Sequence, residues 1–599
     1  MSVVSTLPHW DMTVVFPSLE SQEFARGYTS VVQDIDELAG LFETQHIKEQ
    51  TATPISNDTI KTFETIVERY NTALEATATL SAYIMCFVTT NTHDHLAQAK
   101  MSELQKSLVT LRQLDTRFTA WIGSLDVDIL IARSKVARDY AYMLRKAKVR
   151  AAHLMTPAEE ELASELNVSS GRAWSRLHSN ITSQLRAPLA VGGHAQELPM
   201  SVVRNMADEA DRDLRRRAYE AELGAWKQAA VPLAAALNSI KGEVNVLAKK
   251  RGWQSPLDAS LFDSNIDRAT LEAMMTAARE SYPDFRRYLN AKAQVLGLPR
   301  LAWYDLFAPV GKSNKVWEYD QAARFIIEQF SAYSSRLSNF AARAFREQWI
   351  DAEPRVGKVD GAYCTPLRGD ESRVFANYKS SYGGVSCLAH ELGHGYHNLN
   401  LAHRTILQRD TPMTLAETAS IFCETIIREA ALRNADRQEQ LMILEASLQS
   451  SCQVVVDISS RFLFEQRVFE AREQRDLSVD ELNNLMLEAQ RETYGDGLDE
   501  SALHAYMWAM KPHYYSTEIS FYNYPYMFGL LFGLGLYAQY QQEPEQFKQG
   551  YDDLLSSTGL ADAATLAAQF GIDIRSTDFW RASLDIVRGD IERFEELAR

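Results

Sequence analysis

Apolar residues recur at three- and four-residue spacing along most of the chain, the pattern of helices that bury one face. The spacing predicts helices over Thr59–Thr90 and Leu96–Gly123, continuing through Asp126–Val149. It predicts more over Ala207–Lys250, Arg268–Val295 and 317–349, and near-continuous helix from Gln438 to Arg599. Two starts are explicit: Thr156-Pro-Ala-Glu159 and Ser478-Val-Asp-Glu481 are capping boxes, the first with proline at the opening helical position. Two regions break the pattern. Leu301–Phe307, between Pro299 and Pro309, reads as a short strand or extended segment. Gly361–Tyr382 reads as extended, with a turn at Arg368-Gly-Asp370 and a strand over Arg373–Tyr378. The first 22 residues are irregular. Residues 183–205, with Pro188, Gly192, Gly193 and Pro199, are looser and mark a lobe boundary. The expectation is a mainly α chain, with an N-terminal helical lobe over 1–190 and a second lobe over 191–599.

Composition narrows the class. At 46% hydrophobic and 24% charged over 599 residues, the chain is globular. A net charge of −17 argues against a nucleic-acid partner. The runs Arg215-Arg-Arg217 and Lys249-Lys-Arg251 read as solvated helix faces. The five cysteines form no C-x-x-C pair and are odd in number, which suits a reducing, cytoplasmic compartment. No secretory signal is expected. The uncharged run 519–542 has an apolar part of about a dozen residues, against the roughly 20 needed to span a bilayer. It contains Gly529, Gly533 and Gly535, so it reads as a buried helix packed through its glycines rather than a membrane segment.

The chemistry centres on His390-Glu391-Leu392-Gly393-His394, an H-E-x-x-H motif. Residues four apart share a helix face, so the two imidazoles can converge on one ion. Glu391 lies about 100° round the helix, placed to take a proton from a water activated there. Gly384, Gly393 and Gly395 crowd the motif, although glycine costs about 1 kcal/mol against alanine inside a helix. Something must approach that backbone closely.

A hydrolytic zinc site wants three protein ligands and an open position. Glu417, on a helix predicted to start at Thr411-Pro412, is the first choice for the third. His397, His403 and Glu424 are the alternatives, with Glu424 better used as an acceptor that orients a ligand imidazole. The histidines His46, His93, His95, His153 and His178 form no ligand cluster and read as surface residues. A third cluster, Lys511-Pro-His513 through Tyr522-Asn-Tyr524-Pro-Tyr526, can be an oxyanion-stabilising segment or an aromatic core stripe.

With these residues in place, the sequence resembles the M3 family of zinc metallopeptidases, close to the oligoendopeptidase F branch. The matching segments are His390 to His397, Ala416-Glu-Thr-Ala-Ser420 with Glu424, Pro512-His-Tyr-Tyr515 and Phe521-Tyr-Asn-Tyr524. Gly361-Ala-Tyr-Cys364 and the opening Trp10-Asp-Met with Phe16-Pro-Ser-Leu-Glu20 match as well. The resemblance implies a two-lobed helical body with a small sheet beside the motif helix and the site deep in a channel. It implies endopeptidase action on short peptides, with one zinc ion held by His390, His394 and Glu417 and with Glu391 as general base. It also implies substrate or oxyanion contacts from His513, Tyr522 and Tyr524. A helical metallocarboxypeptidase is the alternative. Peptides are the expected partners, and the sequence leaves the oligomeric state open.

Overall fold

The computed structural model describes residues 7–50, 54–192, 194–311 and 315–599; the expected irregular start over 1–6 and Gly193 lie outside it. The architecture is mainly α, as the periodicity requires. The long helices Asn57–Thr90, His95–Ser124, Arg212–Lys250 and Arg268–Val295 lie within a few residues of the expected spans. Both capping boxes form: Thr156 and Ser478 each accept from the backbone three residues on, and Glu159 and Glu481 reach back.

Apolar faces gather into three clusters. One holds the N-terminal helices, with Phe24, Phe42, Phe63 and Tyr83 at its centre. A second joins Arg212–Lys250 to residues 464–515. The largest contains the motif helix and the C-terminal helices. Trp174 and Ile181, from the helix Gly171–Gln184, pack on the second cluster and not on the N-terminal one. Two helical runs, Asn57–Thr90 and Arg437–Arg472, have the length and apolarity of a membrane span by composition; core helices of globular proteins share both properties.

Several expectations are corrected. Asp126–Val149 is three short helices, Val127–Arg133, Lys135–Asp139 and Ala141–Ala152, with Ser134 capping the second. Leu301–Phe307 keeps a single bridge, Leu301 to Leu498, before turning 3-10 over Trp303–Asp305. The loose boundary region holds an antiparallel hairpin, Arg186–Val191 with His194–Pro199, turning at Gly192 (φ +60°). His178 is buried at 2% exposure, stacked on Tyr515 with Nε2 2.9 Å from the Ala509 carbonyl. Arg215 is also buried. Helix geometry puts it inward with Ala218 and Glu222, where it bonds Asp305 at 2.9 Å.

The extended region 361–382 becomes a hairpin, Tyr363–Arg368 with Glu371–Phe375, turning at Gly369 (φ +51°). A short parallel strand, Ile350–Asp351, pairs on the far side of Glu371–Phe375. Tyr363–Arg368 is therefore an edge strand of this small sheet.

Candidate metal and catalytic site

The motif lies on the helix Tyr382–Leu401, capped at Ser381. Its glycines are explained by what they touch. A Cβ on Gly384 would sit 2.1 Å from the Lys379 carbonyl, and one on Gly395 2.7 Å from the Phe340 ring. A Cβ on Gly393 would sit 2.6 Å from Ser420 Cα. Close approach of two backbones is what glycine permits. Here it brings in the helix Thr418–Asn434, which carries Glu424 and is preceded by Glu417.

Glu417 is not inside a continuous helix as expected. It is the junction between the short turn Met413–Ala416 and Thr418–Asn434. From this junction its Oε2 lies 3.3 Å from Nε2 of both His390 and His394. Ser420 Oγ donates to the same oxygen at 2.6 Å. A third helix closes on it: a Cβ on Gly529, in Tyr524–Gln542, would meet Glu417 Cβ at 2.7 Å. The uncharged C-terminal run is thus a buried helix packed through its glycines, with Gly533 against Ile421 in the same way.

The donor set fits a metal. Among the described residues, His390, His394 and Glu417 are the group whose ligand atoms all fall within 4.8 Å of one another. With bonds of about 2.0–2.1 Å, neighbouring ligand atoms of a tetrahedral zinc stand about 3.3 Å apart. Two of the three edges have that length. Glu424 Oε2 accepts a hydrogen bond from His390 Nδ1 at 3.1 Å, and the carboxylate is itself steadied by Ser386 Oγ, which donates to Oε1 at 3.0 Å. This leaves His390 Nε2 as the lone-pair side facing the cluster. Burial opposes charge on His390, yet the contacts to Glu417 and Glu424 outweigh it and raise its pKa well above 6.5. Burial likewise works against Glu417, and its two imidazole partners overcome it, holding the carboxyl far below the ordinary range. Glu417 and Glu424 therefore favour positive charge at His390.

Glu391 is 6% exposed, and its Oε2 has no hydrogen-bond partner. Burial raises its pKa, with the neighbouring histidines pulling the other way. An unpaired, buried carboxylate oxygen beside a ligand cluster is poised to accept a proton.

The alternative third ligands lie elsewhere. His397 is buried and bonds Thr558 Oγ1 at 3.0 Å, and burial pushes its pKa down to about 4. His403 is exposed in the turn after the motif helix. A cavity of about 290 Å3 reaches His394 and is bordered by Cys364 and Pro366 of the edge strand and by Gly369.

The aromatic segment divides. The 3-10 turn Pro512–Tyr515 leads through Phe521, held at φ +54°, into the helix Tyr524–Gln542. That φ is costly for a bulky residue and marks a constrained bend. Tyr522 and Tyr526 hydroxyls share a 2.7 Å hydrogen bond. Tyr526 is close enough to Glu417 for that carboxylate to contribute to its raised pKa, after burial and Tyr522. Tyr524 is turned away: it is 1% exposed, with its hydroxyl donating to the Ser260 carbonyl at 3.1 Å. The structure thus brings Tyr522 together with Tyr526 and not with Tyr524. Tyr522 stands in the turn before the helix, and the bend at Phe521 sets its hydroxyl against that of Tyr526, in the first turn of the helix.

His513 Nε2 is 2.7 Å from Asn523 Nδ2, and Arg461 Nη1 donates to Asn523 Oδ1 at 3.2 Å. Arginine can only donate, so it fixes the amide with its NH2 toward the imidazole. Nε2 of His513 then accepts, and the proton sits on Nδ1. Burial, with Arg461, Lys511 and Lys241 around it, lowers the His513 pKa to about 3, so the ring is a neutral donor.

The family model described as Peptidase family M3 matches residues 205–586, and that described as Oligopeptidase F matches 126–186. The chain is 24% identical over 486 residues to an oligoendopeptidase F homolog of Lactococcus lactis, covering 80% of this chain and 79% of that one. It is 26% identical over 470 residues to the group B oligopeptidase PepB of Streptococcus agalactiae, covering 76% of each. Its fold matches a crystal structure of a protein described as a peptidase from Chlamydophila abortus, with TM-score 0.84, 19% identity and 98% of both chains covered. It also matches oligoendopeptidase-F from Enterococcus faecium, with TM-score 0.66, 17% identity and 96% and 99% covered.

Proposed function

The chain belongs to peptidase family M3 and is a metalloendopeptidase, and on that premise we propose that it cuts internal bonds of short, unfolded peptides with one zinc ion. His390, His394 and Glu417 hold the ion, and Glu391 is the general base. The observation that carries this reading is the pair of 3.3 Å contacts from both imidazoles to one Glu417 oxygen, beside the unpartnered Glu391 Oε2.

When bound, the ion would polarise the scissile carbonyl and bring the pKa of a water toward roughly 7. Glu391 takes that water's proton as the water attacks the carbonyl, then passes it to the departing amine. Glu424 keeps His390 in the tautomer that presents Nε2. The His513 Nδ1–H and the Tyr522–Tyr526 hydroxyl pair supply donors to the oxyanion, which strengthens these bonds as charge develops. The free edge of Tyr363–Arg368 borders the cavity at His394, which supports its use in pairing with an extended peptide backbone.

The N-terminal lobe is proposed to end in packing terms before Pro157 rather than at 190, because Trp174 and Ile181 join the second core. All five cysteines are unpaired, which supports a reducing cytoplasmic setting. Mass spectrometry of a mixed peptide library, incubated with and without chelator, tests the whole reading. Chelator-sensitive internal cuts are expected, and single residues released from the C-terminus would replace it with a carboxypeptidase.

A further inference from the structure

Apart from the ligand cluster, a cavity of about 360 Å3 lies between Arg212–Lys250, Arg268–Val295 and the residues 494–511. Its wall includes the five-residue π-helical turn Gln453–Asp457, which interrupts Arg437–Arg472. Such turns occur frequently at functional sites.

Polar groups without partners gather on this wall. Lys511, among the described residues, makes no ion pair and no side-chain hydrogen bond. His504 is 1% exposed with neither ring nitrogen bonded. Its Nε2 stands 3.5 Å from Glu222 Oε1, outside hydrogen-bonding geometry. Arg461 Nε and Asp457 Oδ1 are buried and unpaired as well. Buried polar groups are nearly always satisfied, so several orphans on one cavity point to a ligand.

The charges indicate its sign. Arg461 pairs with Asp457, Arg215 with Asp305, and Arg204 lies 3.5 Å from Glu222. Lys511 and Asp208 remain. Asp208 feels Lys379 and Lys292, and Lys511 feels Arg461 and Arg204 as well as Asp457 and Glu222, so among the described residues Lys511 is the cation of this wall that no carboxylate pairs with directly. Burial pulls the Lys511 pKa down to about 8, a cost that a bound anion would relieve. The cavity also adjoins the catalytic segment: Lys511 is two residues before His513, and Arg461 bonds the Asn523 that holds His513.

Resting on the function proposed above, we propose that this cavity is a subsite for the free α-carboxylate of a bound peptide, received by Lys511 with His504 and the Arg461 edge. Peptides that place an unblocked C-terminus here bind best, and a blocked or distant one forfeits the contact.

The test is calorimetry on the zinc-loaded Glu391→Gln protein with one peptide made as the free acid and as the C-terminal amide. The acid is expected to bind at least tenfold tighter. Lys511→Met should remove that difference, and Lys511→Arg should keep most of it, which separates lost recognition from a damaged fold. Equal affinity for acid and amide would overturn the proposal, as would a difference that survives Lys511→Met. Internal cleavage of the amide by the unmodified enzyme is scored separately. If neither peptide is cut, the peptidase reading fails, while the binding comparison still decides the subsite.

Discussion

Gly393 and Ser420 set the distance between the motif helix and Thr418–Asn434: a Cβ on Gly393 would lie 2.6 Å from Ser420 Cα and 2.7 Å from the Ala419 carbonyl. The obstacle is backbone, which cannot rotate away. Gly393→Ala must therefore push Thr418–Asn434 off the motif helix and move Glu417 away from the imidazoles. Overpacking of this kind costs about 1–3 kcal/mol. The variant is expected to melt earlier and to bind zinc more weakly. Unchanged zinc affinity in a chelator competition would show that Glu417 does not depend on this contact.

Glu424 and Glu417 touch the same imidazole in different ways, and the difference is measurable. Glu417→Ala removes a proposed ligand and should abolish stable zinc binding. Glu424→Ala removes only the acceptor at His390 Nδ1. Loss of such a partner typically costs about 10–100-fold in metal affinity. Equal zinc affinities for the two variants would reject this division of labour.

Much of this site was legible in the chain because helical spacing is local. His390 and His394 share a face by spacing alone, and the clustered glycines signalled close neighbours before any neighbour was known. What spacing could not give was the junction at Glu417, where helix packing interrupts a run that otherwise propagates. Arg215 is a different case: three consecutive arginines look solvated, although helix geometry already sets Arg215 on the inward face with Ala218 and Glu222, and what local spacing could not supply is its partner Asp305, 90 residues on. The hairpin Arg186–Pro199 was hidden because its second strand is mostly exposed and lacks an apolar alternation. The Tyr522–Tyr526 contact was not legible in helical spacing, because Tyr522 stands before the helix, in the bend that follows Phe521.

Glu391→Gln isolates the base. The amide has nearly the shape of the carboxylate but cannot take a proton from water. Zinc content should be unchanged and kcat should fall by about 10²–10⁴. Near-normal turnover by this variant would mean that the unpartnered Oε2 is not the proton acceptor.

The tyrosines give the sharpest division, because the structure separates residues that the sequence had paired. Tyr522 and Tyr526 bond each other through their hydroxyls, and Tyr526 senses Glu417. Tyr524 spends its hydroxyl on the Ser260 carbonyl inside the core, and burial pushes its pKa up to about 12. A donor that meets the oxyanion only as charge develops should appear in kcat more than in KM. Losing one such donor typically costs about 2.7–4 kcal/mol. At least one of Tyr526→Phe and Tyr522→Phe is therefore expected to lose kcat about 10²–10³-fold, with KM and zinc content little changed. Tyr524→Phe should keep kcat and instead lower stability by about 0.5–1.5 kcal/mol, the net worth of one hydrogen bond. Kinetics on one quenched fluorescent peptide, with thermal melts of the three variants, decide it. A collapse of kcat in Tyr524→Phe, with the other two unaffected, would return the catalytic role to Tyr524 and make the Tyr522–Tyr526 pair a packing contact.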